Sequence, residues 1–205
     1  MKKVVLASHN PGKLEELKRI LEGQIEGIEL IGYDGPEPVE NGTSFAENAL
    51  LKARAAALHT GLPAVADDSG ISVDILGGSP GIFSARWAGK ARSDTANLNL
   101  LLEQLADIGK EHRQAAFICA AALVVPGINL AKDTSSAEVS KLGVWPGEIL
   151  SEPRGTQGFG YDPIFKPKGF DRSAAELSSA EKDAHSHRRQ AFLALIPELE
   201  GLAKA

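Results

Sequence analysis

The sequence predicts an α/β fold, with strands and helices mixed along the chain. Short apolar runs bounded by Gly, Pro and Asn alternate with stretches of helical spacing along the chain. Residues 117–125 form a continuous apolar run, the pattern of a central strand covered on both faces. At 205 residues, 43% of them apolar and 24% charged, the chain buries a core without disulfides or metal staples. It is read as one domain over residues 1–205, built as a single body or as two lobes.

Residues 4–7 are short and apolar, suiting a buried strand. Asn10 and Pro11 fit the cap and first turn of a helix whose apolar face carries Leu14, Leu17 and Leu21, with Gly23 as its stop. Residues 32–42, rich in Gly, Pro and acids, read as a loop. Ser44-Phe45-Ala46-Glu47 is a capping-box pattern opening a helix through Ala49, Leu50, Ala53 and Ala57 to Gly61.

Then Ala66-Asp67-Asp68-Ser69-Gly70 stands between two apolar runs and reads as a tight turn joining two strands. After a loop at residues 77–81, Leu98, Leu101, Leu102 and Leu105 mark a helix over about residues 93–105. Residues 130–144 supply one or two weakly alternating strands, and Ile164-Phe165 a short one. The C-terminal part reads as helix from about Ser186, with Ala191, Phe192, Leu195 and Leu199 on one face and Pro197 interrupting it. Sheet order is not legible from this pattern.

The net charge of -5 argues against a broad nucleic-acid surface, while leaving room for a small anion in a locally basic pocket. The single cysteine, Cys119, excludes an internal disulfide and a Cys-rich zinc site, and its apolar neighbours make it a core thiol. The basic start, Met1-Lys2-Lys3, precedes an apolar run too short for a signal peptide. No stretch reaches the length of a bilayer span. The expectation is a soluble cytoplasmic protein with no membrane partner.

Asp67 and Asp68 are adjacent, so in extended chain they point to opposite sides and do different work. One can ligate magnesium or act as a general base; the pair is equally an Asx-turn capped by glycine. Ser8, His9, Asn10, Pro11, Gly12 and Lys13 follow the first strand and open the first helix, where amide dipoles and a lysine suit phosphate. The same residues also describe a well-capped surface helix, and neither G-x-x-x-x-G-K-[ST] nor G-x-G-x-x-G occurs.

Asn48 and Lys52 share a helix face, as ligand contacts or as a solvated surface. A loop can carry Glu40 beside Asp68 to share a hard cation. Phe159, Gly160, Tyr161 and Asp162 lie in a glycine-rich stretch where a ring can stack on a planar base and Asp162 can accept from it; a tight turn with core aromatics fits too. Lys182, His185, Ser186, His187, Arg188 and Arg189 form a basic cluster, a purine-carbonyl reader or phosphate clamp, or a charged helix start.

Taken in order, six stretches resemble the inosine triphosphate pyrophosphatase family. They are Ser8-His9-Asn10-Pro11-Gly12-Lys13, Phe45-Ala46-Glu47-Asn48-Ala49, Ala66-Asp67-Asp68-Ser69-Gly70, Pro80-Gly81-Ile82-Phe83-Ser84-Ala85-Arg86, Gly158-Phe159-Gly160-Tyr161-Asp162-Pro163-Ile164-Phe165 and Ser186-His187-Arg188. The resemblance spans nearly the whole chain. It implies an elongated mixed sheet with two lobes around a central nucleotide-binding cleft, a homodimer, and magnesium-dependent hydrolysis of ITP, dITP and XTP to the monophosphate and pyrophosphate.

Carried over by residue, the resemblance implies that Ser8 to Lys13 grip triphosphate and that Asp68 is the base or metal ligand activating water. Ser69 contacts substrate, and Lys182 binds the nucleotide. Phe159, Gly160, Tyr161 and Asp162, with His187 and Arg188, hold and read the base. Bacterial relatives often carry two adjacent acids before the Phe-x-Glu-Asn-Ala segment; here the chain has Val39-Glu40-Asn41-Gly42, and the second metal-ligand role falls to Glu40.

Overall fold

Val4, Val5 and Leu6 are all buried because β1 (Lys2–Leu6) lies between β2 (Ile28–Gly32) and β3 (Ala64–Val73), parallel to both. The computed structural model describes residues 1–21, 23–127 and 137–204. Among these the sheet has six strands in the order β2-β1-β3-β4-β5-β6, where β4 is Gln114–Val125, β5 is Ala137–Ile149 and β6 is Phe165–Pro167. β5 and β6 pair antiparallel, so the sheet is mixed, as expected. The helices are α1 (Pro11–Leu21), α2 (Phe45–Thr60), α3 (Asp94–Gln104), α4 (Ser179–His185), α5 (His187–Leu193) and α6 (Ile196–Lys204). None is long and apolar enough to cross a membrane.

The chain divides into two compact units, the first formed by Met1–Asp68, Cys119–Gly143 and Arg188–Ala205, the second by Ser69–Ile118 and Val144–His187. In the first unit, strand residues alternate between two cores. Val4, Leu6, Val65, Cys119, Ala121 and Leu123 pack with Leu17 and Ile20 of α1 and with Ala191, Phe192, Leu195 and Leu199. Val5, Ala64, Ala66, Ala120 and Ala122 meet Ala49, Ala53, Ala56 and Ala57 of α2. Alanine on both sides leaves little side chain between helix and sheet. The second unit has its own core, with Ile71, Val73, Leu101, Leu105, Phe117, Trp145, Tyr161, Ile164 and Phe165.

Caps follow the sequence closely. Asn10 Oδ1 accepts from Lys13 N at 3.1 Å at the start of α1. Ser44 Oγ accepts from Glu47 N at 3.2 Å, and the Glu47 carboxylate reaches back to Thr43 N at 2.6 Å and its hydroxyl at 2.8 Å. Gly61 closes α2 with φ of +68°, a left-handed conformation that favours glycine.

Four readings change. No turn interrupts Asp67-Asp68: β3 runs unbroken from Ala64 to Val73. Asp and Gly are poor strand residues, but here tertiary partners satisfy the acids, and Gly70 leaves room for Ser84 and the Gly81 carbonyl, which a Cβ would strike. β2 had no strand reading at all, being an edge strand with only partial burial. The C-terminal helix is interrupted, as expected, but the break falls at residues 194–195, and Pro197 itself sits in the first turn of α6, where its missing N–H removes no helical bond. Within the span read as residues 130–144, β5 begins at Ala137; residues 130–136 lie outside the described residues.

Candidate active site

The strand geometry of β3 sends its two adjacent carboxylates to different partners within the first unit. Asp67 is buried, with Oδ2 accepting from Lys13 Nζ at 3.0 Å and Arg188 Nε at 3.4 Å. Arg188, itself 2% exposed, also donates to Glu16 of α1. Asp68 accepts from Asn48 Nδ2 at 3.2 Å through Oδ2 and from Lys52 Nζ at 3.2 Å through Oδ1. Lys52 Nζ lies 2.9 Å from Glu40 Oε1 as well. Helix α2 presents Asn48 and Lys52 together because they are four residues apart.

These surroundings drive the two carboxyls in opposite directions. Burial alone would raise Asp67, but the cations of Lys13, Arg188 and Lys52 overcome it and hold the group well below the usual carboxylate range. For Asp68, burial dominates and Glu40 reinforces it, so its carboxyl is raised despite Lys52, Lys13 and Asn48. Lys52 is held in its charged form: burial works against the charge, and Asp68, Asp67 and Glu40 outweigh it. The Cys119 thiol, 4.0 Å from Asp67 Oδ2, is pushed up by burial and by that carboxylate, and stays protonated.

Among the described residues no group of three or more His, Cys, Asp or Glu gathers as a metal site. Magnesium does not need one, since it takes one or two carboxylates and completes its shell with water and phosphate oxygens. Glu40 and Asp68 converge on one ammonium, Lys52 Nζ, so two hard oxygen donors already face a common positive charge. That donor set fits a hard divalent cation.

Of the segment expected to grip phosphate, Lys13 turns to Asp67. Ser8 Oγ accepts from Asn10 N at 3.3 Å, and Asn10 caps the helix. His9 sits edge-on to Tyr33, with its Nδ1 3.2 Å from Glu37. Pro11 and Gly12 form the first turn of α1.

The second unit holds the aromatic turn. Asp162 Oδ2 accepts from Phe159 N at 2.9 Å and from Lys182 Nζ, whose ammonium lies 5.0 Å from the centroid of the Phe159 ring. Gly158, with φ of +76°, leaves the space that Asp162 Oδ2 fills. Gly160 N donates to Asp94 Oδ2 at 2.9 Å, and Tyr161 OH to the Ser84 carbonyl at 2.8 Å. His187 stacks on Phe117, centroids 4.9 Å apart and planes within 12°. Ser69 lies on β3 just past Asp68.

So the first unit gathers Lys13, Glu40, Asp68 and Arg188, and the second gathers Phe159, Gly160, Tyr161, Asp162 and Lys182. Arg188 and His187 are chain neighbours but take part in different clusters. Sequence reasoning passed over Glu16, Ser84 and Asp94. Glu16 had a signal: it stands three residues after Lys13 and one before Leu17, on the buried face of an amphipathic helix. Ser84 stands in one of the six stretches but its link to Ile71 is not local, and Asp94 had no signal, because its partner Gly160 N is distant in the chain.

By fold and site this is an α/β protein of the mixed-sheet class, with an acidic strand set among cationic side chains. The Ham1 family model matches residues 4–198, and the chain belongs to the Ham1 family. A dITP/XTP pyrophosphatase of Leifsonia xyli subsp. xyli is 53% identical over 204 residues, spanning 100% of this chain and 98% of that protein. One of Streptomyces coelicolor is 52% identical, over 98% and 99%. The solved HAM1 protein from Coxiella burnetii superposes with a TM-score of 0.84 at 43% identity, covering 100% of both chains. The nucleoside-triphosphatase / dITP/XTP pyrophosphatase from Mycobacterium abscessus gives 0.75 at 50% identity, over 95% and 99%.

Proposed function

We propose that this chain hydrolyses non-standard purine nucleoside triphosphates, dITP and XTP together with ITP, to the monophosphate and pyrophosphate, and so keeps them out of DNA and RNA. The observation that carries this reading is full-length similarity to proteins named dITP/XTP pyrophosphatase. In the reaction a water oxygen bonds to the α-phosphorus while the bond from that phosphorus to the bridging oxygen breaks. Pyrophosphate leaves with the electron pair.

Asp68 is the group assigned to orient the water and take its proton, as the family resemblance implies. Lys13 and Lys52 supply positive charge for the phosphates, and the start of α1, from Ser8 to Gly12, supplies dipoles and polar side chains. Glu40 and Asp68 are the ligands assigned to magnesium, which when bound neutralises charge building on the phosphate oxygens. Phe159 is assigned the stacking face, with Ser69 and Lys182 as further nucleotide contacts.

His187 is the donor assigned to the carbonyl at purine position 6, which leaves an amine there badly paired. Arg188, engaged by Asp67 and Glu16, is assigned to holding Asp67. A homodimer in the cytoplasm belongs to the same reading, supported by the family resemblance; sedimentation equilibrium checks the dimer.

The test is pyrophosphate release from dITP, XTP, ITP, ATP and GTP, each with and without magnesium. The expected outcome is fast release from the first three alone, lost when magnesium is chelated. Equal turnover of all five, or orthophosphate as product, overturns the proposal.

A further inference from the structure

We infer that Tyr161 is a positioning residue: its hydroxyl, with the Asp94 carboxylate, holds the Phe159–Asp162 turn so that Phe159 alone of its two rings is offered to a purine. This rests on the proposed function and refines the base subsite within it. From the sequence, either ring suits stacking. The structure separates them: Phe159 is 36% exposed and Tyr161 is 5% exposed, packed in the core with Ile71, Trp145 and Phe165. A ring buried in a core has no face left for a ligand, and its hydroxyl must find an acceptor there.

That acceptor is the Ser84 carbonyl, and Ser84 is itself locked. Its Oγ accepts from Ile71 N at 2.9 Å and donates to the Gly81 carbonyl at 2.6 Å. Gly70 completes the fit, since a side chain there would collide with Ser84. Tyr161 therefore ties the turn to a platform fastened to β3. Two carboxylates pin successive amides of the same turn, Asp162 taking Phe159 N and Asp94 taking Gly160 N, each at 2.9 Å. Asp94 does so from the first turn of α3, whose cap is Ser93. The turn is thus ordered before any ligand arrives, and a preorganised surface binds with less ordering cost.

The inference separates cleanly from a stacking role for Tyr161, because Tyr161→Phe keeps the ring and removes only the oxygen. Steady-state kinetics on XTP should show KM raised about fivefold to tenfold, the scale of one buried hydrogen bond, with kcat within about twofold of wild type. Asp94→Ala should raise KM similarly, Asp94→Asn should restore it by returning an acceptor oxygen, and Tyr161→Phe with Asp94→Ala should be less than additive. An unchanged KM in Tyr161→Phe, full additivity, or a joint loss of kcat and unfolding midpoint overturns the inference. Should the wild-type protein release no pyrophosphate, the proposed function falls. The inference is then read from XTP binding at equilibrium: Tyr161→Phe weakens it by the same factor, or the inference falls too.

Discussion

Two buried carboxylates, Asp67 in the first unit and Asp162 in the second, are each neutralised by a lysine yet are built to different ends. Asp67 accepts from two side-chain cations, Lys13 and Arg188, with Glu16 closing the far side of the guanidinium. Asp162 divides its oxygen between Lys182 and a backbone amide. The first arrangement balances charge on one face of the strand, while on the other face burial and Glu40 raise the carboxyl of Asp68. The second fixes the shape of a turn. Both acids are equally buried, so removing the cation beside either one strands a charge, while the amide bond at Asp162 also fixes the turn.

The largest effect tests the division of labour between Asp67 and Asp68. Asp68→Asn should lower turnover by about 1000-fold while nucleotide binding survives, as measured by pyrophosphate release alongside equilibrium binding. Wild-type turnover in that variant removes Asp68 from the reaction. Arg188→Met comes next: it strands the Asp67 and Glu16 carboxylates and should cost about 3–5 kcal/mol in urea unfolding. A loss below about 1 kcal/mol would mean that the cluster contributes nothing beyond packing.

The third prediction concerns pH. Asp67 has a folded value below its unfolded one, so the stability it contributes is present above the unfolded value, near pH 4, and is lost as pH falls below that toward the folded value. Asp68 has the opposite sign: its folded value is raised, so stability falls as pH climbs from the unfolded to the folded value. Unfolding free energy measured against pH should therefore lose part of its acid slope in Asp67→Asn. The smallest effect is Ser44→Ala, which removes the cap of α2 and should cost about 1 kcal/mol by thermal unfolding. Because α2 carries Asn48 and Lys52, the KM of that variant shows how far the site depends on the helix start.

Much of the molecule was legible along the chain. The caps at Asn10 and Ser44, the stop at Gly61, the leucine face of α3 and the apolar run of β4 are local signals, set by neighbours within a few residues, and the structure keeps them. The Asp67-Asp68 segment was misread for a related reason. Its composition favours a turn, and what makes it a strand is a set of partners from positions 13, 48, 52 and 188. Glu16 carried a faint periodic signal, while Asp94 carried none.

The sequence by itself determined the α/β class, the opposite facing of adjacent acids in extended chain, and the residue types suited to phosphate, hard cations and bases. Those follow from backbone periodicity and side-chain chemistry, which every residue carries with it. Only the tertiary structure decided the strand order, the continuity of β3, the engagement of Arg188 with Asp67 and Glu16, and the burial of Tyr161 beside an exposed Phe159. The physical reason is that burial and charge compensation depend on groups brought close by folding, from positions far apart in the chain.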